Sequence, residues 1–122
     1  MKQPEHKLPQ TRAAAFTLVE IMVVVVIIGL LVSIGIPAFQ RMRAGAQDKS
    51  VLNNARQLAA AADQYFMETG RSTVAFGVLI GPNALIKNLD PVAGETYPTA
   101  FTHGRVITVL NIANDRTVTY AP

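Results

Sequence analysis

The chain has no cysteine. Disulfide staples are therefore excluded, and thiols say nothing about a redox compartment. Histidine is almost as scarce. His6 lies in a polar stretch near the start and His103 adjoins Gly104 in a turn, so neither has partners for zinc or general-base work. No glycine-rich phosphate loop follows a strand, and no Ser-His-Asp set can be assembled. These absences point away from an enzyme, and neither a cofactor nor a metal is expected. Net charge is only +3, and most of the surplus sits in residues 1–15, where Lys2, Lys7 and Arg12 face Glu5 alone. That balance gives little reason to expect a nucleic-acid partner.

Charge is missing altogether from Ile21 to Ile36, and across Phe16–Phe39 the one charged residue is Glu20. As a helix this apolar segment would span roughly 36 Å, enough for a bilayer core of about 30 Å. Its valines and isoleucines favour strands in water, but a lone segment in lipid must satisfy its own backbone and so must be helical. Residues 1–15 read as a polar leader or tail, residues 16–39 as a transmembrane segment.

After Pro37 the pattern turns amphipathic. Leu52, Ala55, Ala59, Ala62 and Phe66 form a helical stripe, and Gly70 suits the position just beyond a helix end. Residues 40–69 therefore read as a continuous amphipathic helix, weakened locally by Gly45. Residues 70–122 read as a small loop and β head. "RVITVLN" and "RTVTYAP" make a hairpin turned by Asn114 and Asp115, "YPTAFT" an added edge strand, and "AFGVLIGPNALIKNL" a helical turn with a loop. So small a head, without disulfides, needs the helix stripe to complete its core. The fold class is α+β: one long N-terminal helix, membrane-spanning in its first half, with a small antiparallel sheet packed on its distal half.

Three readings fit the N-terminus. A secretory signal peptide would use Ile21–Val32 as its apolar core and cut near Ser33–Gly35. A plain anchor would leave Glu20 as a snorkelling residue at the interface. A leader cut before the apolar run would use the small triplet Ala13–Ala15. The triplet lies upstream of the apolar core, where ordinary signal peptidase does not cut, and nothing in signal-peptide physics calls for Glu20. Loop charge leaves orientation open, since Lys2, Lys7 and Arg12 balance Arg41, Arg43 and Lys49.

The stretch "AFTLVEIMVVVVIIGLLVSIGIPAF", Ala15 to Phe39, resembles the N-terminus of type IV prepilins and of the pseudopilins of type II secretion. The resemblance implies cleavage between Ala15 and Phe16 and N-methylation of Phe16, with Ala15 standing where glycine is usual. It implies that Glu20 sets register by meeting the terminal amine of an adjacent subunit in a filament core. Gly29 and Pro37 match positions that bracket a locally unwound stretch in assembled filaments. A second reading is that Gly29 and Gly35 permit close helix approach and Pro37 makes a bend. The implied partners are further copies of the chain, the inner membrane, a prepilin peptidase and methylase, and an assembly platform with its ATPase. The precursor would sit in the inner membrane with its N-terminus cytoplasmic, and the filament in the periplasm or at the cell surface. The resemblance fits a pilus subunit or a secretion pseudopilin; outside that class, a membrane-tethered binding module that never polymerises remains open.

Some pseudopilins hold a calcium ion in the head. Asp90, Glu95, Asn114 and Asp115 are the oxygen-bearing candidates here, but Asn114-Asp115 more simply forms the hairpin turn and Asp90-Pro91 starts a loop. Arg41, Arg43, Lys49 and Arg56 read as a solvated face or as lipid-headgroup contacts.

Overall fold

A computed structural model describes residues 1–7 and 15–122. The chain divides into two units, Met1–Pro37 and Ala38–Pro122, and helix α1, Leu18–Thr69, contributes to both. The long N-terminal helix followed by small antiparallel sheets is the α+β architecture expected from the sequence.

In the first unit α1 carries the apolar run, and its side chains from Ile21 to Ile36 are exposed throughout. The helix is long and apolar enough to cross a membrane. Gly29 and Gly35 lie inside it, and a Cβ added at either would meet nothing within 4 Å. The chain's own packing therefore gives no reason for glycine at these two positions.

The second unit has its own core. Val51, Ala55, Leu58, Ala59, Ala62 and Phe66 bury one face of α1. Against them pack Val74, Leu79, Phe101, Ile107, Val109 and Ile112. The alanines matter sterically, because short side chains let the β segments approach the helix axis closely. Leu52 lies at the edge of this face, and Val51 takes the buried place that the sequence stripe assigned to it. The helix ends where glycine allows it to: Gly70 has φ 68° and donates its N–H to the Phe66 carbonyl at 2.8 Å. This left-handed cap closes the last turn.

Strand β1, Thr73–Ala75, follows at once and leads into a single helical turn, α2, Phe76–Leu79. β1 pairs antiparallel with β2, Ala100–Thr102, with Val74 opposite Phe101, both buried. Strands β3, Ile107–Ile112, and β4, Arg116–Tyr120, form the expected hairpin. Asn114 and Asp115 turn it with φ 67° and 58°, a conformation that short polar side chains tolerate. The segment expected as an added edge strand on this hairpin instead gives β2 to a separate two-stranded sheet with β1. What reaches β3 is Thr96, which exchanges backbone bonds with Leu110 at 2.8 and 3.0 Å.

Candidate functional site

The first turn of α1 carries Glu20, the acid that the sequence singled out. Thr17 stands just before the helix and Glu20 in its first turn. The Glu20 N–H donates to Thr17 Oγ1 at 3.2 Å, and the Thr17 N–H donates to Glu20 Oε2 at 3.1 Å. This reciprocal pair is a capping box: two of the amide donors that every helix start leaves unpaired are satisfied by side chains. A carboxylate there also faces the positive end of the helix dipole. The signal for it is in the sequence as Thr17-Leu18-Val19-Glu20, a Thr-x-x-Glu set ahead of an apolar run, a role for Glu20 that its charge alone does not indicate. Glu20 Oε1 makes no hydrogen bond among the described residues. Phe16 and Ile21 line one shallow apolar groove with Leu18, Met22 and Val25.

Ala15 and Phe16 are exposed, and Ala13 and Ala14 lie outside the described residues. Gly29, Gly35 and Pro37 are all helical. Pro37 has no N–H, so the Ser33 carbonyl lacks its usual partner one turn later. None of these groups converges on a catalytic arrangement.

Two polar clasps hold the head on the helix. The first is Arg116 at the start of β4. Its Nε donates to the Ala113 carbonyl at 3.0 Å, Nη1 to the Ala44 carbonyl at 3.1 Å and to Asp48 Oδ1 at 2.8 Å, and Nη2 to Gln47 Oε1 at 3.0 Å. One planar guanidinium thus ties the hairpin turn to a full turn of helix.

The second clasp is built on Glu95, the one buried charged side chain among the described residues. Its Oε1 accepts from the Tyr97 hydroxyl at 2.7 Å, and its Oε2 from the Ala93 N–H at 2.8 Å. The Val92 N–H lies 3.1 Å from both oxygens. The Asn54 amide on α1 completes the link, donating to the Tyr97 oxygen at 3.0 Å and to the Asp90 carbonyl at 3.3 Å. Burial pushes the Glu95 carboxyl up. The Tyr97 hydroxyl and the surrounding backbone amides outweigh it, and the group ends below the ordinary carboxylate value. Tyr97 is pushed up to about 12, by burial and then by its hydrogen bond to Glu95.

The four oxygen-bearing residues weighed for calcium are engaged elsewhere. Glu95 is turned inward, the Asp90 carboxylate accepts from Asn88 at 3.0 Å, and Asn114 and Asp115 form the hairpin turn. No group of three acidic, histidine or cysteine side chains suited to a metal occurs among the described residues. His103 packs edge-on against Phe66 with ring centroids 5.7 Å apart.

The family profile of the prokaryotic N-terminal methylation motif matches residues 10–36. The chain is 38% identical over 60 residues to the type IV major pilin protein PilA of Myxococcus xanthus, a match covering 49% of this chain and 27% of that one. It is 33% identical over 101 residues to the type IV major pilin protein PilE1 of Neisseria gonorrhoeae, covering 77% of this chain and 61% of that one. The chain thus spans less than two thirds of the length of either relative. No solved structure matches it significantly.

Proposed function

We propose that the chain is a member of the type IV pilin and pseudopilin family, as its N-terminal methylation motif and its similarity to two type IV major pilins support, and that it is a structural subunit of a pilus-like filament. It is stored in the inner membrane as a single-pass precursor with a cytoplasmic N-terminus. A prepilin peptidase removes residues 1–15 by cutting between Ala15 and Phe16, and Phe16 is then N-methylated. Residues 16–39 anchor the subunit and later bundle with their counterparts. Residues 40–69 carry the head formed by residues 70–122. An assembly platform and its ATPase move the subunit from lipid into the filament.

The observation that carries this reading is the contrast between the two units. The head has a core of its own, while the apolar side chains from Ile21 to Ile36 are exposed along the whole run. Such a surface needs lipid or other apolar helices around it. Glu20 fits the same reading. An acid near mid-membrane costs on the order of 2.5–3.5 kcal/mol on insertion scales, less towards the interface. The cap satisfies Oε2 locally, and the second oxygen is left for the amine of a neighbouring Phe16 as subunits stack. Once desolvated, an unpaired carboxylate is costly, so correct stagger is favoured over wrong stagger.

The mass of the mature protein tests the first step. Loss of residues 1–15 plus one methyl group is expected, whereas a cut after Gly35 would end the reading. Electron microscopy of surface-sheared material tests the second. Filaments are expected, and their absence despite correct processing would favour a pseudopilin or a membrane-tethered binding module.

A further inference from the structure

Between Phe39 and Arg56 the helix carries Arg41, Arg43, Lys49 and Arg56 against a single acid, Asp48. The fold takes that acid out of play. Asp48 pairs with Arg116 at 2.8 Å, the one ion pair among the described residues. Arg56 is drawn over the Tyr120 ring, 6.0 Å from its centroid. Arg41, Arg43 and Lys49 remain, all exposed and without a carboxylate partner among the described residues.

Their placement separates two explanations. Cations that merely keep a helix soluble gather on its outward face. At about 100° per residue, Arg41 and Arg43 stand roughly 200° apart and so flank opposite sides of the helix. They form part of a ring. They also come directly after the apolar run. At about 1.5 Å per residue they fall roughly 3 and 6 Å beyond Phe39, within a headgroup layer about 5–7 Å deep per leaflet. Lys49, roughly 15 Å beyond Phe39, lies outside that layer.

We propose that Arg41 and Arg43 form a collar that binds the phosphates of anionic phospholipids where the apolar helix leaves the membrane. The collar rests on the reading that residues 16–39 cross a bilayer. Each guanidinium donates to phosphate oxygens while its methylene stem lies along the apolar boundary. Asp48 would weaken this attraction by offering a competing negative charge, and its pairing with Arg116 removes that competition. The head therefore does more than cover the helix. It leaves the first turns of the exposed helix net cationic.

The test uses the full chain reconstituted in phosphatidylcholine vesicles, probed by electron paramagnetic resonance with spin-labelled phosphatidylglycerol and spin-labelled phosphatidylcholine. Each charge at an anionic surface is worth up to about fivefold in association. A several-fold preference for the phosphatidylglycerol probe is expected. Arg41→Gln with Arg43→Gln should lower it several-fold, and 1 M salt should lower it as well. Arg41→Lys with Arg43→Lys should retain it, and Lys49→Gln should change it little. Cations of the N-terminal stretch add a preference of their own, so the decisive quantity is the loss in the double Gln variant. An unchanged preference in that variant overturns the collar. So does loss of filaments with unchanged lipid preference, which would assign the arginines to a subunit contact. Equal immobilisation of both probes overturns the collar alone; no immobilised lipid with either probe overturns the membrane-spanning reading too.

Discussion

Thr17 and Glu20 hold each other's backbone amides, at 3.2 and 3.1 Å, across the first turn of α1. Glu20 is therefore part of the helix start within a single chain, before any neighbour arrives. The cap fixes the carboxylate on the Thr17 amide, next in sequence to Phe16, the residue whose amine cleavage would release. The local stabilising contact and the proposed intermolecular one thus draw on the same side chain, and substitutions can separate them.

Glutamine serves the capping position as well as glutamate does but carries no charge. Glu20→Gln should retain a protected Thr17 amide, read by hydrogen exchange in micelles, and should lose filaments. Thr17→Ala should instead expose the Glu20 amide, whose acceptor is Thr17 Oγ1, while keeping filaments. It frays the first turn at a cost of about 1 kcal/mol and leaves the charge in place, so filaments should persist at reduced yield. Normal filaments from Glu20→Gln would show that capping alone explains the acid.

The Arg116 clasp makes a prediction about the head. Its side chain is 28% exposed and that of Asp48 40%, so solvent screens the pair. Most of the benefit then lies in the neutral acceptors, the carbonyls of Ala44 and Ala113 and the Gln47 amide. Arg116→Ala should destabilise the head by about 1–2 kcal/mol, and Asp48→Asn by less than about 1 kcal/mol, in urea titrations of the full chain in detergent.

Much of this head is legible in the sequence, and the remainder fails for physical reasons. The β3–β4 hairpin shows itself through β-branched alternation and an Asn-Asp turn, both local signals. The helix face is legible in part: the stripe finds Ala55, Ala59, Ala62 and Phe66 but not Val51 or Leu58, both fully buried. Leu52 and Val51 are neighbours on the helix surface, and only the packed head decides which of them is buried. β1 is illegible because Thr73–Ala75 is too short for periodicity and depends on Phe101 far along the chain. Glu95 is illegible for a similar reason. Its donors are loop amides and a tyrosine oriented by Asn54, so the sequence shows an acid in a loop and nothing of its burial. At the N-terminus the motif is plain, and the capping box is legible inside it as the Thr17-x-x-Glu20 spacing.

Glu95 should make head stability pH-dependent. Its carboxyl lies below the ordinary value of 4.5 when folded. The stabilisation is therefore fully present above about pH 4.5 and is lost as pH falls through the lower folded value. Glu95→Gln should remove that part of the acid sensitivity and cost about 1–3 kcal/mol at neutral pH, because an amide cannot accept all the bonds. Tyr97 acts at the other end. With its pKa raised from 10.0 to about 12, its contribution is intact below pH 10 and lost as pH rises towards 12. Thermal melts of wild type, Glu95→Gln and Tyr97→Phe from pH 2.5 to 11.5 check both limbs. An acid limb unchanged in Glu95→Gln would remove the clasp as its source.

Gly29 and Gly35 allow a prediction that divides the chain alone from the assembly. A methyl group added at either meets nothing within 4 Å, and glycine inside a helix costs about 0.5–1 kcal/mol relative to alanine. For the single chain, Gly29→Ala and Gly35→Ala should be neutral or should raise helicity in micelles, with insertion and processing unchanged. If the glycines serve the filament, the same variants should lower filament yield, through a stiffened helix or through methyls that keep neighbouring helices apart. Pro37→Ala tells these causes apart. It restores the donor missing opposite the Ser33 carbonyl and adds no bulk. Reduced assembly in all three variants points to local unwinding. Reduced assembly in the glycine variants alone points to close helix approach. Normal filaments in all three would show that neither property is used.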